Sequence, residues 1–165
     1  MIEFEPQAPA HLPAIEALLT DPAILRFTLV PEPVPEGFAA EWLDWYEQGR
    51  RSGEREGFAI VEDGAFLGLA LAPAIADGTV ELGYVVAPAG RGRGLAPAAL
   101  RMLTDWAFAD RGVVRAELRI SASNGASQRV AEKAGYIREG VLRSVHFKQG
   151  RRDDMEIWSR LPTDP

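Results

Sequence analysis

The feature that most restricts how this chain can fold is a glycine-rich turn between a β-type segment and its strongest helical pattern. An apolar run ends at Val86, and residues 87–94 follow with three glycines. Apolar side chains then recur at helical spacing, at Leu95, Ala99, Met102, Leu103 and Trp106. A strand, a tight turn and an amphipathic helix must therefore follow one another, which requires a sheet with a helix packed on one face.

Hydrophobic periodicity and turn residues divide the whole chain in the order β-α-α-β-β-β-α-β-α-β-β. Hairpin partners pair antiparallel, whereas strand–helix–strand crossovers favour parallel pairing. We therefore predict one α/β (α+β) domain over residues 1–165, with a mixed, mostly antiparallel central sheet of about seven strands and about four flanking helices. The three prolines within 30–35 predict an extended loop that, with the second helix, covers one end of the sheet.

Composition excludes several classes of function. The 165 residues contain no cysteine, so disulfides, thiolate metal sites and cysteine nucleophiles are excluded. A net charge of −6 argues against a nucleic-acid binder held by phosphate contacts. The N-terminus lacks the pattern of a signal peptide, and no apolar run is long enough to span a membrane. We expect a cytoplasmic protein.

The charges are unevenly distributed. Residues 1–86 hold 15 acidic and 4 basic side chains, whereas residues 87–165 hold 9 acidic and 14 basic ones. This asymmetry would suit an anionic ligand on the second half and a cationic ligand beside the first. Drift in surface composition is the alternative interpretation.

The glycine-rich turn has the properties of an anion site. Unpaired N–H groups and the helix dipole favour negative charge at the start of a helix, and glycine lets a ligand approach the backbone. Arg91 and Arg93 add formal charge. A P-loop is excluded because it needs a lysine, and the dinucleotide fingerprint fails at Leu95 or Pro97. A turn whose glycines serve packing alone is the other interpretation.

Three motifs together indicate a family. The turn reads Arg91-Gly92-Arg93-Gly94-Leu95-Ala96, preceded by Glu81-Leu82-Gly83-Tyr84 and followed by Asn124-x-x-Ser127 and Glu132-Lys133-x-Gly135-Tyr136. In these motifs and in its element order the chain resembles the GCN5-related N-acetyltransferases (GNAT). The stretch 124–142 resembles the branch that contains the ribosomal-protein N-terminal acetyltransferases.

The resemblance implies acetyl-CoA as the acetyl donor and no metal. It implies that main-chain groups of Val86 and the side chain of Asn124 bind the pantetheine arm. Backbone amides are expected to hold the pyrophosphate, at Gly92, Arg93, Gly94, Leu95 and Ala96, with Arg91 beside them. Pro97 must then lie in the first helical turn, where its missing N–H is harmless, so the helix should begin near Arg93 or Gly94.

The implied reaction is transfer of acetyl to a primary amine by direct attack in a ternary complex. The amine must lose a proton, and the departing thiolate must gain one. The resemblance assigns the base to Glu81, acting directly or through water. His146 and an ordered water chain are the alternatives. Many relatives carry a tyrosine donor where this chain has Ala131, so Ser127 becomes the candidate donor. Ser127 would equally fit a helix N-cap.

The acceptor side is the least readable part of the sequence. Trp42, Tyr84 and His146 are candidates for the acceptor pocket, although Trp42 also fits a core stripe and His146 a surface position. A protein N-terminus, an aminoglycoside or a polyamine could supply the amine. A catalytically silent acyl-CoA sensor on the same fold is the alternative function, and the protein could be a monomer or a homodimer.

Overall fold

The computed structural model describes the backbone of residues 1–165 and every side chain except that of Phe147. The strands are β1 (Glu3–Pro6), β2 (Glu56–Glu62), β3 (Ala65–Ala76), β4 (Thr79–Val86), β5 (Arg115–Ser121), β6 (Ile137–Lys148) and β7 (Arg151–Arg160). The α-helices are α1 (Leu12–Leu18), α2 (Pro22–Phe27), α3 (Phe38–Ser52), α4 (Leu95–Arg111) and α5 (Gly125–Lys133). None of these helices is long and apolar enough to cross a membrane.

The strands form one seven-stranded sheet in the order β1-β2-β3-β4-β5-β7-β6. Only β4 and β5 are parallel neighbours, and every other described pair is antiparallel. The predicted mixed, mostly antiparallel sheet is therefore confirmed. The crossover preference holds for β4-α4-β5 but not for β5-α5-β6, because β7 inserts between β5 and β6 and pairs with both.

A short helix was not predicted. The sequence Thr20-Asp21-Pro22 does interrupt the first helix, but it also begins α2. Asp21 is the N-cap residue, whose Oδ1 accepts a hydrogen bond from the N–H of Ala23 at 2.9 Å, and Pro22 occupies the first helical position. The chain thus has five α-helices over the described backbone rather than about four.

The sheet opens into a wedge between β4 and β5. The two strands pair only where Thr79–Glu81 lies beside Arg115–Glu117. On the other side of β4, the register with β3 shifts between Leu71 and Ala74, where Pro73 lies in the irregular segment. Such irregularities bend a strand, and a proline is tolerated there because no ladder bond is lost. We attribute the separation of β4 from β5 to this bend.

Two hydrophobic clusters cover the two faces of the sheet. On one face, Leu100 and Leu103 of α4 pack in a cluster that includes Val80 and Leu82 of β4. On the other face, α1 and α3 pack in a cluster that includes Val85. Because side chains alternate along a strand, Tyr84 shares the face of Leu82, and Glu81 shares the face of Val85. β4 therefore presents Tyr84 and Glu81 on opposite sides of the sheet.

Candidate active site

A cavity of about 750 Å³ occupies the wedge, and we call it the large cavity. Its volume lies within the usual range for small-molecule sites. Its walls come from α2, α3, β4, β5, the first turn of α4 and the start of α5. The predicted site residues in its lining are Trp42, Tyr84, Val86, Arg91, Ala96, Asn124 and Ser127. Residues far apart in sequence thus meet in one continuous space.

The glycine-rich turn offers a row of free donors beside this cavity. Gly92 and Gly94 have φ angles of +74° and +71°, which side chains other than glycine rarely adopt. A Cβ atom built at either glycine would meet nothing within 4 Å. No N–H from Gly92 to Ala96 donates to a backbone carbonyl of the described chain. With Gly94 as the N-cap residue of α4, this arrangement fits a diphosphate group.

Both arginines of the turn are paired with carboxylates from the first half of the chain. Arg91 donates to Asp21 Oδ2 at 2.5 Å and to the carbonyl oxygen of Val86 at 3.2 Å. Arg93 pairs with Glu62. The pKa of Asp21 is lowered by the N–H of Ala23 and by Arg91, and that of Glu62 mainly by Arg93. Arg91 thus holds a carbonyl that the family resemblance assigns to the pantetheine arm.

Ser127 and Tyr84 share a hydrogen bond of 2.9 Å between their hydroxyl groups. Asn124, not Ser127, is the N-cap residue of α5, because its Oδ1 accepts from the N–H of Ser127 at 3.2 Å. The interpretation of Ser127 as an N-cap is therefore wrong. Burial raises the pKa of the Tyr84 phenol, and the hydrogen bond to Ser127 offsets only part of this increase. The phenol therefore stays protonated at neutral pH.

Glu81 lies at the closed end of the wedge, where β4 and β5 still pair, and it is not part of the large cavity's lining. Burial raises the pKa of its carboxyl group, Arg119 opposes that shift and Glu117 adds to it. Two of its neighbours, Tyr46 and Arg119, do line the cavity. The pKa of Tyr46 is raised by burial and by the charge of Glu81. Glu81 therefore lies behind the cavity wall.

The two remaining acceptor candidates lie in different places. Trp42 lines the large cavity and also packs against the core cluster of α1 and α3, so pocket and core roles coincide. His146 instead lines a second cavity of about 190 Å³ between α2 and the β6–β7 hairpin. Phe27 and Ser121 line both cavities, which makes the two neighbours. The roles of Trp42, Tyr84 and His146 toward an acceptor stay predictions.

Sequence reasoning missed the partnership of Tyr84 and Ser127. From sequence, Tyr84 is only a candidate for the acceptor pocket. The signal that could have found the pair is strand alternation, because Tyr84 shares its face with Leu82 and so points toward the helices that follow β4. The position of Glu81 behind the wall has no such signal, since it depends on where β4 and β5 separate.

The fold is that of a known family. The chain matches the acetyltransferase (GNAT) domain over residues 2–137 and belongs to that family. It is 33% identical over 86 residues to the probable N-acetyltransferase YjcK of Bacillus subtilis (strain 168), which is 52% of this chain and 48% of the relative. The chain thus aligns with about half the length of the curated relatives it matches.

Solved structures agree on the fold. RimL, a ribosomal L7/L12 α-N-protein acetyltransferase in complex with coenzyme A, matches with a TM-score of 0.90 at 19% identity, over 97% of this chain and 93% of that one. The spermidine N-acetyltransferase of Vibrio cholerae, in complex with CoA and spermine, matches with a TM-score of 0.87 at 19% identity, over 99% and 96%. The predicted family is confirmed, and a ribosomal-protein acetyltransferase and a polyamine acetyltransferase share its fold. GNAT enzymes use acetyl-CoA as their donor.

Proposed function

We propose that this protein transfers an acetyl group from acetyl-CoA to a primary amine by direct attack in a ternary complex. The observation that carries the proposal is the continuity of the large cavity. Its lining runs from Arg91 and Ala96, on either side of the free N–H groups, to the Tyr84–Ser127 pair across the open wedge, whereas residues 92–95 lie beside the cavity. Membership of the GNAT family supplies the donor.

The donor is held mainly by backbone groups. The N–H groups of Gly92 to Ala96 bind the diphosphate, where the helix dipole adds partial positive charge. Asn124 uses its Oδ1 to cap α5, which leaves its amide N–H₂ group to donate to a pantetheine carbonyl. The main-chain groups of Val86 bind the pantetheine arm once Arg91 no longer donates to the Val86 carbonyl oxygen.

The Tyr84–Ser127 pair serves the leaving group. The amine nitrogen forms a bond to the thioester carbonyl carbon, and the carbon–sulfur bond breaks. The hydroxyl of Ser127 donates to the sulfur as negative charge develops there, and Tyr84 supports that hydroxyl by hydrogen bonding. A neutral phenol and a neutral hydroxyl can both donate, which suits this role.

Glu81 accepts the proton that the amine must lose. Because Glu81 lies behind the wall of the cavity, we assign this transfer to a relay through water or the Tyr46 hydroxyl rather than to direct contact. Burial makes the carboxylate a stronger base, since it raises the pKa toward that of the group it must deprotonate.

The acceptor class is open between a protein N-terminus and a small amine. RimL acts on a ribosomal protein and the V. cholerae enzyme on spermidine, so the same fold accommodates both. A thiol-reactive dye measures CoA release directly, because the chain has no cysteine to contribute background. Release that depends on both acetyl-CoA and an added amine supports the transferase.

Donor binding has a matched test. Gly94→Asp adds a side chain and a negative charge at the free N–H groups, so acetyl-CoA affinity should fall at least tenfold by calorimetry. Gly64→Asp is the control, because Gly64 has a similar φ of +78°, has equal space and lies in the β2–β3 turn. Equal affinity in the two variants would refute the diphosphate site. Acetyl-CoA binding without CoA release from any amine would instead indicate the silent sensor.

A further inference from the structure

The second cavity is lined by an unusual number of cationic side chains for an acidic protein. We call it the cationic cleft. Arg26 of α2 forms one wall, and the end of the β6–β7 hairpin forms the other with Lys148, Arg151 and Arg152. Only two carboxylates, Glu32 and Asp153, join these four cations. A chain with a net charge of −6 thus gathers positive charge in a concave site.

Both carboxylates of the cleft are already engaged. Glu32 pairs with Lys148 at 3.0 Å. Asp153 accepts hydrogen bonds from Ser121 and from Ser123, which lower its pKa and keep it ionised. Neither carboxylate forms an ion pair with Arg26 or Arg151, and the four cations of the cleft outnumber its two carboxylates.

Two guanidinium groups are without a carboxylate partner. Arg26 and Arg151 make no ion pair with any side chain that the structure describes. The guanidinium carbon of Arg26 lies 5.0 Å from the ring centroid of Phe27, a residue that also lines the cleft. Uncompensated guanidinium groups in a concave site favour phosphate or carboxylate, which they bind with paired N–H donors.

The cleft adjoins the space where the amine would react. Phe27 and Ser121 line both cavities, so the two cavities lie side by side. Its volume of about 190 Å³ suits an anionic group with a few attached atoms rather than a protein segment. We infer that the cationic cleft binds an anionic group of the acceptor, and that the acceptor is a small amine that carries a phosphate or a carboxylate. This inference rests on the proposed function only in taking the ligand to be an amine acceptor; the anion site itself does not depend on it.

Anion binding can be measured without turnover. Inorganic phosphate is titrated into ¹⁵N-labelled protein saturated with CoA, so that the donor site is occupied. Phosphate should shift the amide signals of residues 121–123 and 146–153 most. In the double variant Arg26→Gln/Arg151→Gln, the phosphate affinity obtained from these shifts should be at least fivefold lower. Both arginines are exposed and make no ion pair with described residues, so the variant should keep its fold. Shifts confined to other residues, or unchanged by the double variant, would overturn the site.

Acceptor preference gives the second readout. Ethanolamine is compared with O-phosphoethanolamine, and butylamine with 4-aminobutyrate, as kcat/KM for CoA release. The anionic member of at least one pair should be preferred at least tenfold, and which pair responds separates phosphate from carboxylate recognition. The double variant should lose this preference. Arg143→Gln, which removes an exposed arginine of β6 that lines neither cavity, should retain it.

The two proposals fail differently. No preference for either anion, or an equal preference in the double variant, would overturn the inference while leaving acetyl transfer intact. No CoA release from any amine would refute the proposed function, yet phosphate-induced shifts at the cleft would still be measurable in that protein.

Discussion

Removing the hydroxyl of Ser127 should damage catalysis far more than donor binding. In the structure this hydroxyl contacts Tyr84 at 2.9 Å, and Ser127 does not cap its helix through its side chain. Ser127→Ala therefore leaves the helix cap of Asn124 in place and deletes only the group that we assign to the sulfur. A positioned proton donor contributes at least about 100-fold, and Tyr84 can replace part of it, so kcat should fall about 10- to 100-fold.

The same change has a predictable effect on stability. It leaves the half-buried hydroxyl of Tyr84 without its partner, which costs about 1–3 kcal/mol when water cannot replace the bond. For a chain of this length, each kcal/mol lowers Tm by about 2–4 °C. Acetyl-CoA affinity should change less than threefold, because the diphosphate site lies at the start of α4.

A double-mutant cycle tests whether the two hydroxyls act as one unit. Ser127→Ala, Tyr84→Phe and the double variant are compared by kcat for CoA release, with acetyl-CoA affinity measured by calorimetry. The double variant should lose little more than the worse single variant, because groups that act together are not additive. Tyr136→Phe is the control: its hydroxyl bonds to Thr104 in the core, so it should lower Tm without lowering kcat. Additive losses, or a wild-type rate for Ser127→Ala, would refute the shared role.

Three further variants test other parts of the structure. Glu81→Gln should lower kcat/KM at neutral pH, with partial recovery at high pH where the free amine forms in solution; superimposed pH–rate profiles would remove Glu81 as the base. Because burial raises the pKa of Glu81, its charge opposes folding above its ordinary pKa, so the same variant should keep or raise Tm at pH 7, and a lower Tm would contradict this account. Asp21→Asn keeps the helix cap but frees Arg91, so calorimetry should show tighter acetyl-CoA binding by a few-fold; weaker binding would mean that the ion pair helps to shape the donor site. Leu103→Ala should lower the free energy of unfolding by about 2–5 kcal/mol in urea, with KM unchanged, and a loss below 1 kcal/mol would show that the core collapses around the cavity.

Local patterns account for most of the fold. The change from strand to helical periodicity around the glycine-rich turn predicts β4 and α4. The structure begins the helix at Leu95, one or two residues after the predicted start near Arg93 or Gly94. The six residues of α2 are too few to show a helical period, and only the Asp21-Pro22 start signal could have indicated them. The insertion of β7 between β5 and β6 depends on long-range pairing, which local patterns do not determine.

The candidate site divides along the same line. The free N–H groups of 92–96 depend on one short segment, and so does the capping of α5 by Asn124. The position of Glu81 outside the cavity cannot be predicted from one segment, because it depends on the irregular pairing of β3 and β4 near Pro73. The cationic cleft is least visible in sequence: Lys148 bonds to the carbonyl oxygen of Thr28, 120 residues away, and the cleft exists only once that contact forms.

The proposed function and the cationic cleft together imply one orientation for the acceptor. Arg91 and Arg93 belong to the basic half of the sequence, and they form ion pairs with Asp21 and Glu62 of the acidic half. These ion pairs connect the glycine-rich turn to the first half of the chain. Arg26 and Arg151, which make no ion pair with any side chain that the structure describes, lie at the cleft, while Glu81 lies at the closed end of the wedge. A molecule with an amine at one end and an anion at the other can satisfy both only in one orientation. That orientation directs the amine toward Glu81 and the Tyr84–Ser127 pair, where the thioester would be held.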